Sequence, residues 1–150
     1  MTPSPSFRHL LRRAVTSLSN SDPCDEDVAV VADVLLPGEA SFWTRLQGRD
    51  KRHSLEVLAR FDGLCPSATR SERAAALLHD VGKIESDLGW MGRIFATLVG
   101  ARTVRMRLYL EHECLGARLL TGISDPRTVM LVSGRGDDDV SRALRRADDV

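Results

Sequence analysis

The sequence predicts an all-α fold. Ala, Leu and Arg dominate the composition, which favours helix over sheet. Apolar residues recur at three- and four-residue spacing, and no stretch alternates apolar and polar residues as a half-buried strand does. β-Branched clusters are sparse, and aromatic residues make up only 5% of the chain. At 150 residues, with 43% hydrophobic and 28% charged residues, the chain has the size and balance of one globular domain with a proper core.

Met1 to Ser6 is Pro/Ser-rich and expected to be disordered, and the single helical domain is expected over residues 7–150. Phe7 to Leu18 reads as a basic amphipathic helix, with Phe7, Leu10, Leu11, Ala14, Val15 and Leu18 on one face and Arg8, Arg12 and Arg13 on a solvated one. A second helix is expected from about Asp25 to Leu36, its opening acids complementing the N-terminal dipole, with Pro37-Gly38 as its break. Glu39 to Leu46 makes a short helix whose Phe42 and Trp43 are core candidates. Asp50 reads as the N-cap of a helix to about Phe61, and Asp62-Gly63 with Pro66 as the loop after it.

The central helix is expected from about Ser67 to Val81. Its final stretch, Ala-Ala-Ala-Leu-Leu-His-Asp-Val-Gly-Lys from Ala74 to Lys83, organises the rest. Gly82 reads as a left-handed helix stop. Beyond it, Gly89 to Val99 and Arg102 to Glu111 read as helices, then Cys114 to Leu120 after a break near His112. Ser124-Asp125-Pro126 is a helix start with proline at the first helical position. Gly134 to Asp139 reads as a flexible acidic loop, suited to a mobile lid, before a last helix over Val140 to Val150.

The formal net charge is zero, so no global field recruits nucleic acid or an anionic membrane. No apolar run approaches the roughly 18 residues of a membrane span, and the N-terminus lacks a signal-peptide core. Cys24, Cys65 and Cys114 are widely spaced and odd in number, as for reduced, mostly buried thiols in a cytoplasmic protein.

His79 and Asp80 stand side by side at the end of an apolar run, where a neutral imidazole and a carboxylate are costly to leave unpaired. A divalent metal satisfies both; a histidine at a helix C-terminus beside a solvated aspartate is the plainer alternative. Of the four histidines, His9 carries no supporting context. His53, His79 with Asp80, His112 and the late Asp148 fall on different expected helices or their ends, as in a metal site built inside a helical bundle.

The order Arg-His-Ser-Leu around His53, Leu-Leu-His-Asp-Val-Gly-Lys around the doublet, and Leu-Arg-Arg-Ala-Asp-Asp around Asp148 resembles the HD superfamily of metal-dependent phosphohydrolases, in its small single-domain bacterial form. Glu111-His112-Glu113 followed by Gly116-Ala117 resembles the further histidine segment of its HD-GYP-like branch. The resemblance covers about Asp50 to Val150, the expected metal-binding core, and leaves the helices of residues 7–47 outside it.

It implies a helical bundle of the HD type and one divalent metal (manganese, zinc, iron, nickel, cobalt or magnesium) held by His53, His79, Asp80 and Asp148. It also implies hydrolysis of a phosphate ester of a small nucleotide or related metabolite through a metal-activated water. Asp80 is the candidate to orient that water, with Asp148 a ligand alone. Lys83 either sets its ammonium against a substrate phosphate or faces solvent. His112 contacts phosphate, serves a second metal position, or is held at a helix junction. Arg52 is a weaker phosphate candidate, since neighbours on a helix point about 100° apart. Glu85 and Asp87 either orient water or face solvent.

Two departures shape the expectation. Gly82-Lys83 stand where HD nucleotidases and alarmone hydrolases carry acids, and no histidine follows His112, so a mononuclear site is expected. The same absence motivates a second reading, a catalytically silent HD domain that binds a nucleotide or a partner protein.

Overall fold

A helix that is apolar all round belongs inside a protein. In a computed structural model that describes residues 21–84 and 101–149, with side chains from 111 onward in the second range, Ala74 to Leu78 are all fully buried. The helices are α1 (Asp25–Val34), α2 (Pro37–Trp43), α3 (Gly48–Leu64), α4 (Arg70–Leu78), a 3-10 turn (Val81–Ile84), α5 (Ala101–Leu120), α6 (Pro126–Val132) and α7 (Asp139–Asp148). Among the described residues the protein is all-α, as the composition predicts. None of these helices is long and apolar enough to cross a membrane.

The central α4 packs against α1, α2, α3 and α6, while α7 lies on α3 and the 3-10 turn lies on α5. The core joins Val31 and Val34 of α1, Trp43 of α2, Val57, Leu58 and Phe61 of α3, and Leu131, Val132 and Leu144 of α6 and α7 to this helix. Trp43 is buried, and its indole Nε1–H donates to Ser54 Oγ at 2.9 Å, which supplies the partner a buried indole needs.

Several boundaries differ from expectation, each for a local reason. Pro37 does not end α1; it opens α2 at the first helical position, where its missing N–H costs nothing. α3 continues through Asp62 and Gly63 to Leu64, because the Asp62 carboxylate is paired with Arg73 of α4 at 2.9 Å on both oxygens. Asp50 is not the N-cap of α3. Gln47 holds that position, and Asp50 sits inside the first turn, buried.

The break expected near His112 is absent, and α5 runs unbroken through it. Gly82 is not a left-handed stop: Gly122 and Gly134 are the described residues with positive φ. Instead a Cβ on Gly82 would overlap the His112 carbonyl and come within 2.9 Å of Gly116 N, so glycine here permits the close approach of the 3-10 turn to α5.

The segment after α6 is well tied. Arg145 donates to the Gly136 carbonyl at 2.9 Å, and Asp138 caps α7 through Ser141 N at 2.8 Å while pairing with Arg127 at 2.6 Å. The three cysteines are free thiols, but Cys24 and Cys114 are exposed rather than buried. The expected helices over Phe7–Leu18 and Gly89–Val99, with His9, Glu85 and Asp87, lie outside the described residues.

α4 begins three residues inside its expected start, with a capping box between Thr69 and Glu72. Glu72 also accepts from Arg127 of α6 at 2.9 Å. Burial alone would raise the Glu72 carboxyl, but the Thr69 N–H and the Arg127 guanidinium outweigh it and hold the group below its ordinary range. A depressed carboxylate contributes stability that is present above its unfolded pKa and lost as pH falls below it. Glu72→Gln is therefore expected to cost about 1 kcal/mol at neutral pH and progressively less below about pH 4. Urea unfolding of both proteins across that range measures the difference; a cost independent of pH would place the effect elsewhere.

Candidate metal centre

Side chains from α3, the end of α4, the 3-10 turn, α5, α6 and α7 line one cavity of about 190 Å³. All six residues singled out in the sequence as metal or catalytic candidates, His53, His79, Asp80, Lys83, His112 and Asp148, line it.

α4 ends at Leu78, and His79 follows as its C-cap, still in helical conformation. The carbonyls of a last helical turn lack internal partners, and His79 Nδ1 lies 2.9 Å from one of them, Ala76 O. A carbonyl only accepts, so Nδ1 carries a proton, and Nε2 is the ring position turned to the cavity. That nitrogen is buried and makes no hydrogen bond. It lies 3.3 Å from Asp148 Oδ1 and 3.5 Å from Asp80 Oδ2.

α3 supplies His53, whose Nε2 is 2.9 Å from Asp148 Oδ1 and whose ring stands edge-on to His79 with centroids 5.4 Å apart. α3 also places the far end of α7, because Arg60 donates to the Ala147 carbonyl at 3.0 Å, one residue before Asp148. The ligand atoms that His53, His79 and Asp80 offer all lie within 4.8 Å of one another, a group that can hold a metal ion. Asp148 adjoins it through both imidazoles.

The electrostatics of the cavity favour a cation. Burial opposes charge on His79, yet the Asp148 and Asp80 carboxylates outweigh it and raise the ring's proton affinity. Burial likewise opposes charge on Lys83, and Asp80 and Asp50 reverse it. Asp148 is held well below the usual carboxylate range, because the two histidines more than offset its burial. With two carboxylates 3.3 and 3.5 Å away, Nε2 is favourably placed only with a cation there, either a proton on the ring or a metal ion among the donors. The donor set, two imidazoles and two carboxylates, neutralises a dication and suits zinc, manganese or iron.

Lys83 is partly exposed at the cavity wall but paired with two carboxylates. Its ammonium lies 2.5 Å from Asp80 Oδ2 and 3.6 Å from Asp50 Oδ1. Arg52 does not line the cavity; its guanidinium bonds the Ser21 carbonyl and, at 3.0 Å, the Ser21 hydroxyl.

Three participants escaped the sequence reading. Asp50 precedes His53 by three residues on α3, so both share a helix face. Arg145 stands in the same relation to Asp148 on α7, and lines the cavity. Glu113, beside His112, also lines it; burial raises its carboxyl, Arg145 pulls it down and Asp148 pushes it up. The Glu113 carboxylate occupies the space a side chain on Gly134 would take, 2.5 Å from an ideal Cβ there. Spacing from the ligand candidates was the available signal for the first two.

Comparisons with protein-family models, with curated proteins and with solved structures each return no match.

Proposed function

We propose that this protein is a cytoplasmic, metal-dependent phosphohydrolase of the HD type, acting on a phosphate ester of a small nucleotide or related metabolite. One observation carries the reading: a buried histidine nitrogen whose other ring position is committed to a carbonyl, and which faces only His53, Asp80 and Asp148. The order of those residues in the chain, resembling the HD superfamily, supplies the reaction class.

His53, His79, Asp80 and Asp148 would hold one divalent ion. Such an ion lowers the pKa of a bound water and polarises a phosphoryl oxygen. The chain's own groups do the rest. Asp80 orients the attacking water through the carboxylate oxygen not given to Lys83. Asp148 fixes both imidazoles. Lys83, Arg145 and His112 present donors to the phosphate from three walls of the cavity. Its small volume admits a phosphoryl group and leaves the remainder of a substrate outside.

A second reading, a silent HD module that binds a nucleotide or a partner protein, is favoured by the short Lys83–Asp80 contact, which commits one oxygen of the doublet to an ammonium. Elemental analysis of the purified protein beside Asp80→Ala separates the two when the same samples are assayed on phosphomonoesters and phosphodiesters with manganese. The enzyme reading expects one metal per chain, lost in the variant, and metal-dependent turnover. Metal without turnover selects the silent module; no metal in either protein after manganese or zinc is added overturns the enzyme reading.

A further inference from the structure

On the far side of α6 from the metal centre lies a second cavity. Leu131 and Val132 wall the first, whereas Val129, Met130 and Ser133 wall the second, an α5–α6 groove of about 730 Å³. That is the size range of sites for small organic ligands. We propose that this groove binds an organic oxyanion with an apolar body, a role independent of the metal centre and its chemistry.

The charge distribution points to an anion. Arg118 of α5 and Arg135 after α6 line the groove, and among the described residues no carboxylate does. Several other arginines are paired: Arg73 with Asp62, Arg127 with Glu72 and Asp138, Arg142 with Asp139. Arg118 and Arg135 make no hydrogen bond or ion pair among the described residues. Two guanidiniums converging on one groove without a counter-ion suit a planar or tetrahedral oxyanion, which accepts their donors two at a time.

The hydroxyls sort the same way. Thr121 and Ser133 spend their protons on the Ala117 and Met130 carbonyls, at 2.8 and 2.6 Å. Ser124 Oγ, also lining the groove, is buried and has no partner, leaving its O–H to donate to a ligand. Ala117, Val129 and Met130 complete an apolar wall, against which the body of the ligand packs. Methionine adapts such a wall to varied shapes.

Anilinonaphthalene sulfonate, an aromatic body with one oxyanion, is the probe, titrated by fluorescence into the full chain without added metal. One site per chain is expected. Arg118→Glu combined with Arg135→Glu should weaken binding at least about tenfold, through loss of two charge-assisted contacts. Both side chains are exposed and have no partner among the described residues, so the double variant is expected to keep the natural melting temperature. Ser124→Ala should weaken binding by a smaller factor. Uncharged phenylnaphthylamine should bind both proteins equally. No binding of the sulfonate, or equal affinity in the natural and doubly substituted proteins, overturns the assignment.

Discussion

Gly82→Ala is expected to destabilise the protein by about 3 kcal/mol, the upper range for overpacking a well-filled contact. The added methyl would collide with the His112 carbonyl and stand 2.9 Å from Gly116 N, and both are backbone atoms of a helix, which cannot rotate away. Gly63→Ala provides the control. A Cβ there meets nothing within 4 Å, and the residue lies inside α3, so the substitution is expected to stabilise by about 0.5 kcal/mol through the unfolded chain. Urea unfolding of the two variants should therefore give shifts of opposite sign. Equal, small effects would mean that the 3-10 turn and α5 are not in contact. The Gly82 change should also reach the metal centre, because Asp80 and Lys83 flank it while His112 stands on the opposing backbone.

Gly82 also shows what a single sequence conceals. Its place after an apolar helix is what a C-terminal stop looks like, and local reasoning prefers a local cause. The true cause is non-local: a helix some thirty residues further on passes so close that no side chain fits. Asp50 misled for the same reason. A carboxylate near a helix start is ordinarily a cap, but this one is directed to Lys83, across the chain. At His112, too, the packing is with distant elements: α5 runs unbroken through the expected break, against the 3-10 turn and α6.

By contrast, α4 was legible, because five consecutive buried residues admit no other environment. So was the convergence of His53, His79, Asp80 and Asp148, since rare residue types placed at the ends of separate helices have one natural meeting point in a bundle. Arg145 and Glu113, common residue types on common surfaces, carried no comparable signal.

Asp148→Asn is expected to lower affinity for manganese or zinc by more than about 100-fold, beyond the loss that follows from removing a supporting partner of a ligand. The substitution preserves shape but removes the charge that His53 Nε2 meets at 2.9 Å and His79 Nε2 at 3.3 Å. The fold should survive, because α7 is anchored by buried Leu144 and Ala147 and by the Arg60 bond to the Ala147 carbonyl. Metal titration by calorimetry measures the affinity, and thermal unfolding separates a metal site from a network of protons. A ligand that binds only the folded state at about 100 times its dissociation constant adds about 2.7 kcal/mol, or several degrees for a chain of this length. The natural protein should show that rise with manganese, and Asp148→Asn should not. If neither protein responds, the two carboxylates hold protonated histidines and Lys83 as a structural cluster, and the apolar helix ends on an ion-pair network. If both respond equally, the ion is held by His53, His79 and Asp80 alone, and Asp148 acts on the imidazoles from outside the coordination sphere. The difference between the two melting curves thus decides whether the end of the chain supplies a ligand or only orients one.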